Sequence, residues 1–225
     1  MEKLSKQDLK LLQKYAQLIF EWNQKFNLTG HKTLELIQQN LIDDVVDSFM
    51  ELDFEKLNIK SVLDVGSGSG SPGIIIAIMY KEAHITLVEA NGKKCQFLNY
   101  VIKELELNNA SVVNERIENL DQSWTEKFDL AVSRAVASIA IMNELLCKFV
   151  KQQKYILHLK STNYLAEIEF ANRFLNLLKL VSHSCEKVNG SNPKLMSVNV
   201  IYQKIGATPK GYPRPWKDIK KNLAS

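Results

Sequence analysis

Residues 61–80 read SVLDVGSGSGSPGIIIAIMY. A short apolar run passes through Asp64, glycines alternate with serines at Gly66, Gly68 and Gly70, and Pro72-Gly73 opens a second apolar run. Strand, turn and helix in this order form the unit from which covered parallel sheets are built. The turn lies outside the carboxyl end of its strand, which is where such sheets bind ligands. This one stretch therefore restricts the chain to the α/β class and marks the place to look for a ligand.

The flanking pattern agrees. Before Lys60 the spacing is helical, with Leu11, Tyr15, Leu18 and Trp22 on one face, a break at Asn27–Gly30, and a second helix over Leu34–Met50 capped by Thr33. After Lys60, strands are predicted at Ser61–Val65, Ile85–Glu89, Ser111–Asn114, Phe128–Ser133 and Tyr155–Leu159, with helices between them. Leu180–Val188 and Met196–Lys204 follow with only turn chemistry at 189–194, so they form an antiparallel pair. The expected fold is Rossmann-like: a mostly parallel seven-stranded sheet ending in an antiparallel hairpin, the layout of class I S-adenosylmethionine-dependent methyltransferases. The expected organisation is a helical extension (1–59), a methyltransferase domain (60–205) and a basic tail (206–225). With 225 residues, 45% of them hydrophobic, the chain can bury such a core.

Three ligands compete for the turn. A P-loop needs Lys-Ser/Thr at its end, and Pro72-Gly73-Ile74 stands there instead. Gly68, Gly70 and Gly73 match the dinucleotide pattern GxGxxG literally, which keeps an NAD-dependent oxidoreductase as an alternative. The register is poor, and Pro72 removes a donor that a pyrophosphate would use. A methyl donor carries no phosphate; it needs Gly66, Gly68 and Gly70 so that the backbone can lie against it. Asp64 would hold the donor's amino group, directly or through water. Glu89, at the end of the second strand, would accept both ribose hydroxyls, and Ile117 and Glu118 would meet the adenine.

The acceptor side is SRAVAS, Ser133–Ser138. It lacks the (D/N)PPY-type tetrapeptide of amino-group methyltransferases and the Pro-Cys pair of C5-pyrimidine enzymes. Arg134 stands there instead. An arginine is no base at neutral pH, so the site suits an acceptor with a free lone pair and no proton to lose, such as guanine N7. Net charge is +4, and the tail after Gln203 is basic (Lys204, Lys210, Arg214, Lys217, Lys220, Lys221 against Asp218). Such a tail is a solvated end or a phosphate contact. No apolar run approaches the roughly 20 residues of a membrane span, and Cys95, Cys147 and Cys185 and the histidines show no metal spacing. No metal and a cytoplasmic location are expected.

NLTG (Asn27–Gly30), DVGSGSGSPG (Asp64–Gly73), EANGKKCQFL (Glu89–Leu98), SRAVAS, HLK (His158–Lys160) and ATPKGYPR (Ala207–Arg214) occur in that order. Together they resemble the bacterial small-subunit rRNA guanine-N7 methyltransferases, also called glucose-inhibited division protein B, over nearly the whole chain. The resemblance implies methyl transfer from S-adenosylmethionine to N7 of guanine 527 of 16S rRNA, free or in a 30S particle; nothing in the sequence suggests an extensive self-interface, so a monomer is expected. It implies Gly66 and Ser71 in the donor turn, Ile117 and Glu118 near adenine, and Arg134 beside donor and acceptor as the catalytic residue. Lys160, Tyr212 and Arg214 are the RNA contacts chosen with it. A non-catalytic ribosome-binding module is the remaining alternative. The chain departs from the family where a His usually precedes the Asp-Ser of the second helix and Asp44 stands, at Ser71, usually apolar, and after Arg214, where the tail reads PWKDIKKNLAS. Trp216 in that tail is either a stacking platform for a base or packing on the sheet edge.

Overall fold

The computed structural model describes residues 4–190, 192 and 196–223. Its seven strands are β1 Ser61–Val65, β2 His84–Val88, β3 Ala110–Val113, β4 Phe128–Arg134, β5 Val150–Lys160, β6 Leu180–Lys187 and β7 Val198–Lys204, in spatial order β3-β2-β1-β4-β5-β7-β6. The first five pair in parallel, and β7 runs antiparallel between β5 and β6. β1 lies at the centre: Val62 is in register with Ile85 on one side and Leu130 on the other. The strand order reverses between β1 and β4, so the loops leaving these two strands diverge and open a crevice.

Successive side chains of a strand point to opposite faces, and the central strands are apolar on both. Val62, Ile85, Leu87, Leu130 and Val132 face one core layer, and Leu63, Val65, Val88 and Ala131 the other. The first layer is covered by α1 (Lys6–Asn23), α4 (Gly73–Met79) and α5 (Gly92–Glu104). The second is covered by α6 (Ile139–Leu146), α7 (Tyr164–Asn172), α8 (Leu175–Leu178) and α9 (Trp216–Leu223). The helices before Lys60 share the first core with the sheet: Tyr15, Ile19, Ile37 and Phe49 are fully buried in it. They are thus packed as a layer of the fold.

Local chemistry explains the helix starts. Ser5 and Asp8 form a reciprocal capping box at α1. Asn91 accepts from Lys93 N–H and Lys94 N–H at α5. Thr33 accepts from Leu36 N–H at 3.2 Å, as read from the sequence. The helix it starts is not uniform, however. It runs as α2 (Leu34–Ile37), a six-residue π-helical stretch (Gln38–Asp43) and α3 (Asp44–Met50). Here the carbonyls of Asn40 and Leu41 accept hydrogen bonds from Arg134 and Ser71. β5 is longer than predicted because Tyr155–Lys160 also pairs with β7 and Val150 with Phe128. Of the turn read at 189–194, positions 191, 193 and 194 lie outside the described residues.

Candidate active site

The glycine turn is held from below. Gly66 N–H donates to Val88 C=O at 2.9 Å, which ties the turn to β2. Tyr15, fully buried on α1, donates its hydroxyl to Ser69 C=O at 2.7 Å. Gly70 has φ +96°, and a Cβ there would lie 2.7 Å from Ile74 and 2.8 Å from the Tyr15 hydroxyl. Only glycine fits this crossing of α1 and α4. Asp64 is 1% exposed and accepts from Gly73 N–H at 3.1 Å. Burial lifts its pKa to about 7, against the lowering by the Gly73 and Ser67 hydrogen bonds, and Glu89 raises it further.

Above the turn lies a cavity of about 150 Å³, lined by Gly66, Glu89, Ile117, Glu118, Val136 and Trp216, among others. Glu89 accepts from Asn91 N–H at 2.8 Å and Gly68 N–H at 2.9 Å. A carboxylate offers about four acceptor positions, so two remain for a vicinal diol. Ile117 provides an apolar floor, and Glu118 is ion-paired to Arg116 at 2.6 Å. An acceptor for ribose, an apolar slot for a purine and a backbone free of side chain at Gly66 together fit an adenosyl group.

A second cavity of about 270 Å³ lies on the other side of the β4 exit, lined by Asp44, Arg134, Ala135, Lys160, Glu167 and Ser197, among others. Arg134 donates to Ser71 Oγ at 2.9 Å, to Asp44 at 3.1 Å and to the Asn40 carbonyl. Burial pulls its pKa down, and Asp44 opposes this. A guanidinium has five N–H groups; two stay uncommitted among the described residues. Lys160 pairs with Glu167 at 2.7 Å, and Glu167 in turn accepts from Ile139 N–H at 2.9 Å. The cavity thus carries two cations balanced by two carboxylates.

The two cavities take part of their lining from consecutive residues: Arg134 and Ala135 line the second and Val136 the first. Ala135 has φ +55°, a left-handed conformation that costs an alanine roughly 1 kcal/mol or more. It sends Arg134 into the second cavity and Val136 into the first. Behind it, Ser133 Oγ meets His158 Nδ1 at 2.8 Å and His158 Nε2 meets Asn143 Oδ1 at 2.9 Å, all buried. Burial lowers the His158 pKa to about 3, helped by Lys160, so this imidazole is a neutral link between β4, β5 and α6.

Of the residues singled out in the sequence, Gly66, Glu89, Ile117 and Glu118 meet in the first cavity, and Arg134 and Lys160 in the second. Others sit differently. Asp64 points under α4 instead of into the cavity, because the first helical N–H takes its carboxylate. Gly68 serves through its N–H on Glu89. Ser71 bridges Arg134 to Leu41 C=O, away from the donor cavity. Lys160 is tied to Glu167. Arg214, chosen for RNA, spends its fork on Glu144 at 2.8 and 2.7 Å, and Tyr212 packs beside it against the second core. Lys204, counted with the basic tail, is fully buried between Glu126 and Val150 C=O. The dinucleotide alternative fails on the same geometry: the N-terminus of α4 already holds the chain's own Asp64 carboxylate where a pyrophosphate would bind. Sequence reasoning missed the roles of Tyr15, Asp44 and Val136. Asp44 had a signal, since it stands at a departure from the family pattern.

A central parallel sheet with a terminal antiparallel hairpin, a glycine turn after β1 and an acidic residue after β2 define a class I S-adenosylmethionine-dependent methyltransferase. Solved structures share the fold. A variant of MtNAS in complex with S-adenosylmethionine aligns at TM-score 0.57 and 14% identity, over 88% of this chain and 73% of that one. The antibiotic-resistance methyltransferase Kmr aligns at TM-score 0.53 and 13% identity, over 71% and 93%. The family model described as rRNA small subunit methyltransferase G matches residues 8–196. Proteins named ribosomal RNA small subunit methyltransferase G are similar along most of their length. The one from Ureaplasma parvum serovar 3 is 39% identical over 211 residues, 93% of this chain and 97% of the relative. That of Mycoplasmoides gallisepticum is 37% identical over 214 residues, 93% and 87%. The chain belongs to the rRNA small subunit methyltransferase G family.

Proposed function

We propose that this protein transfers a methyl group from S-adenosylmethionine to N7 of guanine 527 in 16S rRNA, acting as a cytoplasmic monomer on free RNA or on a 30S particle. The observation that carries the reading is the pair of cavities lined by consecutive residues of the β4 exit, one with Val136 and built for an adenosyl group, the other holding Arg134 and Ala135. S-adenosylmethionine, when bound, supplies a methyl group already activated by its sulfonium. Glu89, Ile117 and the bare backbone at Gly66 hold the nucleoside end. Guanine N7 attacks with a lone pair and loses no proton, so the acceptor cavity needs no general base, and its two carboxylates are engaged by Arg134 and Lys160. Arg134, locked by Asp44, Ser71 and Asn40, keeps two N–H groups for the guanine O6 beside N7 or for a phosphate. Asp44 and Glu167 keep the cavity from being net positive as charge moves from sulfur to the purine. Positioning supplies most of the effect.

In vitro methylation of 16S rRNA and of 30S particles, with mapping of the product, tests the proposal. Expected is 7-methylguanosine at position 527. Modification elsewhere overturns the site, and RNA binding without any transfer favours the non-catalytic module. No membrane-crossing helix and no cluster of three metal-ligating side chains occur among the described residues.

A further inference from the structure

We propose that Trp216 is a donor-binding residue, its indole forming the outer wall of the adenosyl pocket, so that the C-terminal helix is part of methyl-donor recognition. The inference rests on the donor reading of the first cavity. Gly66, Glu89, Ile117, Glu118 and Val136 come from the sheet's carboxyl edge, whereas Trp216 comes from the tail, beyond the residues that match the family model. The tail departs from the family after Arg214, so this wall belongs to this chain's own residues.

The indole is held firmly. α9 begins at Trp216 and docks through Ile219 and Leu223, which are 0% and 1% exposed. Immediately upstream, Arg214 makes its two-pronged bond to Glu144, a carboxylate buried on α6. Arg116 lies over the indole, 5.7 Å from the ring centroid, and its own Nε is fixed by Glu118. One face of the ring is therefore covered by a cation that lines the same slot, and the indole borders that slot together with the apolar Ile117. A flat electron-rich ring beside an aliphatic side chain is the chemistry that accepts a purine. Trp216 packs against the second core layer and also borders the slot that holds Glu89 and Gly66, so its indole joins the two.

Isothermal titration of the full chain with S-adenosylhomocysteine tests this, alongside Trp216→Ala and Trp216→Phe. The alanine variant should bind roughly 5- to 100-fold more weakly, the loss of one aromatic stacking partner. The phenylalanine variant should stay within about threefold of the parent. A second measurement does not depend on the alanine variant folding. In a Trp22→Phe/Trp124→Phe protein the remaining indole should be quenched by S-adenosylhomocysteine and by 5′-methylthioadenosine, and not by methionine. If the parent chain binds neither nucleoside, the donor reading itself is wrong. If it binds them while Trp216→Ala binds equally well, or while the Trp216 fluorescence stays unchanged, the donor reading stands and the role of Trp216 is overturned.

Discussion

Arg134 carries two duties that substitutions can separate. Its guanidinium holds Asp44, Ser71 and the π-helical carbonyl of Asn40 in place, and it faces the acceptor cavity. Arg134→Ala leaves the partly buried Asp44 carboxylate with the Ser197 hydroxyl but no cation, and should cost roughly 1–3 kcal/mol of stability. Arg134→Lys restores the charge without the fork. It should fold, bind S-adenosylhomocysteine as the parent does, and lose on the order of 100-fold in methyl transfer; an assay of both variants, with melting curves, checks this. Asp64 gives a test in pH. Its folded pKa is raised to about 7 from 3.8, chiefly by burial. The folded state therefore holds a proton that the unfolded state releases, and the stability this confers below pH 4 is lost as pH rises to 7. Asp64→Asn keeps an acceptor for Gly73 N–H and has no such dependence. Urea unfolding at pH 5 and pH 8 without ligand should show the variant gaining on the parent, by on the order of 3 kcal/mol.

At the scale of elements, the glycine turn was readable because its reasons are local. Positive φ at Gly66, Gly68 and Gly70 leaves a sequence mark that few other residues could replace. Which glycine meets which neighbour was not readable, since that depends on α1. Gly70→Ala should run into Tyr15 and Ile74 and cost about 2 kcal/mol or more of stability. Gly66→Ala meets only the half-exposed Val136 side chain, 2.8 Å away, and should weaken donor binding more than folding. Thermal melts paired with ligand titrations distinguish the two. The break in the helix over Leu34–Met50 was equally hidden. The periodicity of Ile37, Ile42, Val45 and Phe49 survives a π-helical stretch, and nothing in those residues announces that Asn40 and Leu41 turn their carbonyls to the site. Arg214 and Lys204 illustrate the opposite limit: a cation's sequence neighbours do not reveal a carboxylate 70 or 78 residues away.

For the molecule as a whole, a sheet covered on both faces followed from strands alternating with helices, and the glycine turn after the first strand placed the ligand crevice; the order β3-β2-β1-β4-β5-β7-β6 came only with the structure. The tail could not be placed, because its partners are tertiary: Glu144 on α6 and the pocket edge at Trp216. Removing residues 206–225 should leave Glu144, 2% exposed, without its arginine, at a cost of roughly 3–5 kcal/mol. Stability should fall before RNA affinity does, and chemical denaturation beside salt-dependent RNA binding measures which comes first. The left-handed bend at Ala135 has a broader consequence. Residues that line the donor and acceptor chambers follow one another along the chain at this bend, so a change in its backbone would shift both linings together. An insertion or deletion here should therefore re-aim Arg134 and Val136 at once, tying the choice of target to the lodging of the methyl donor.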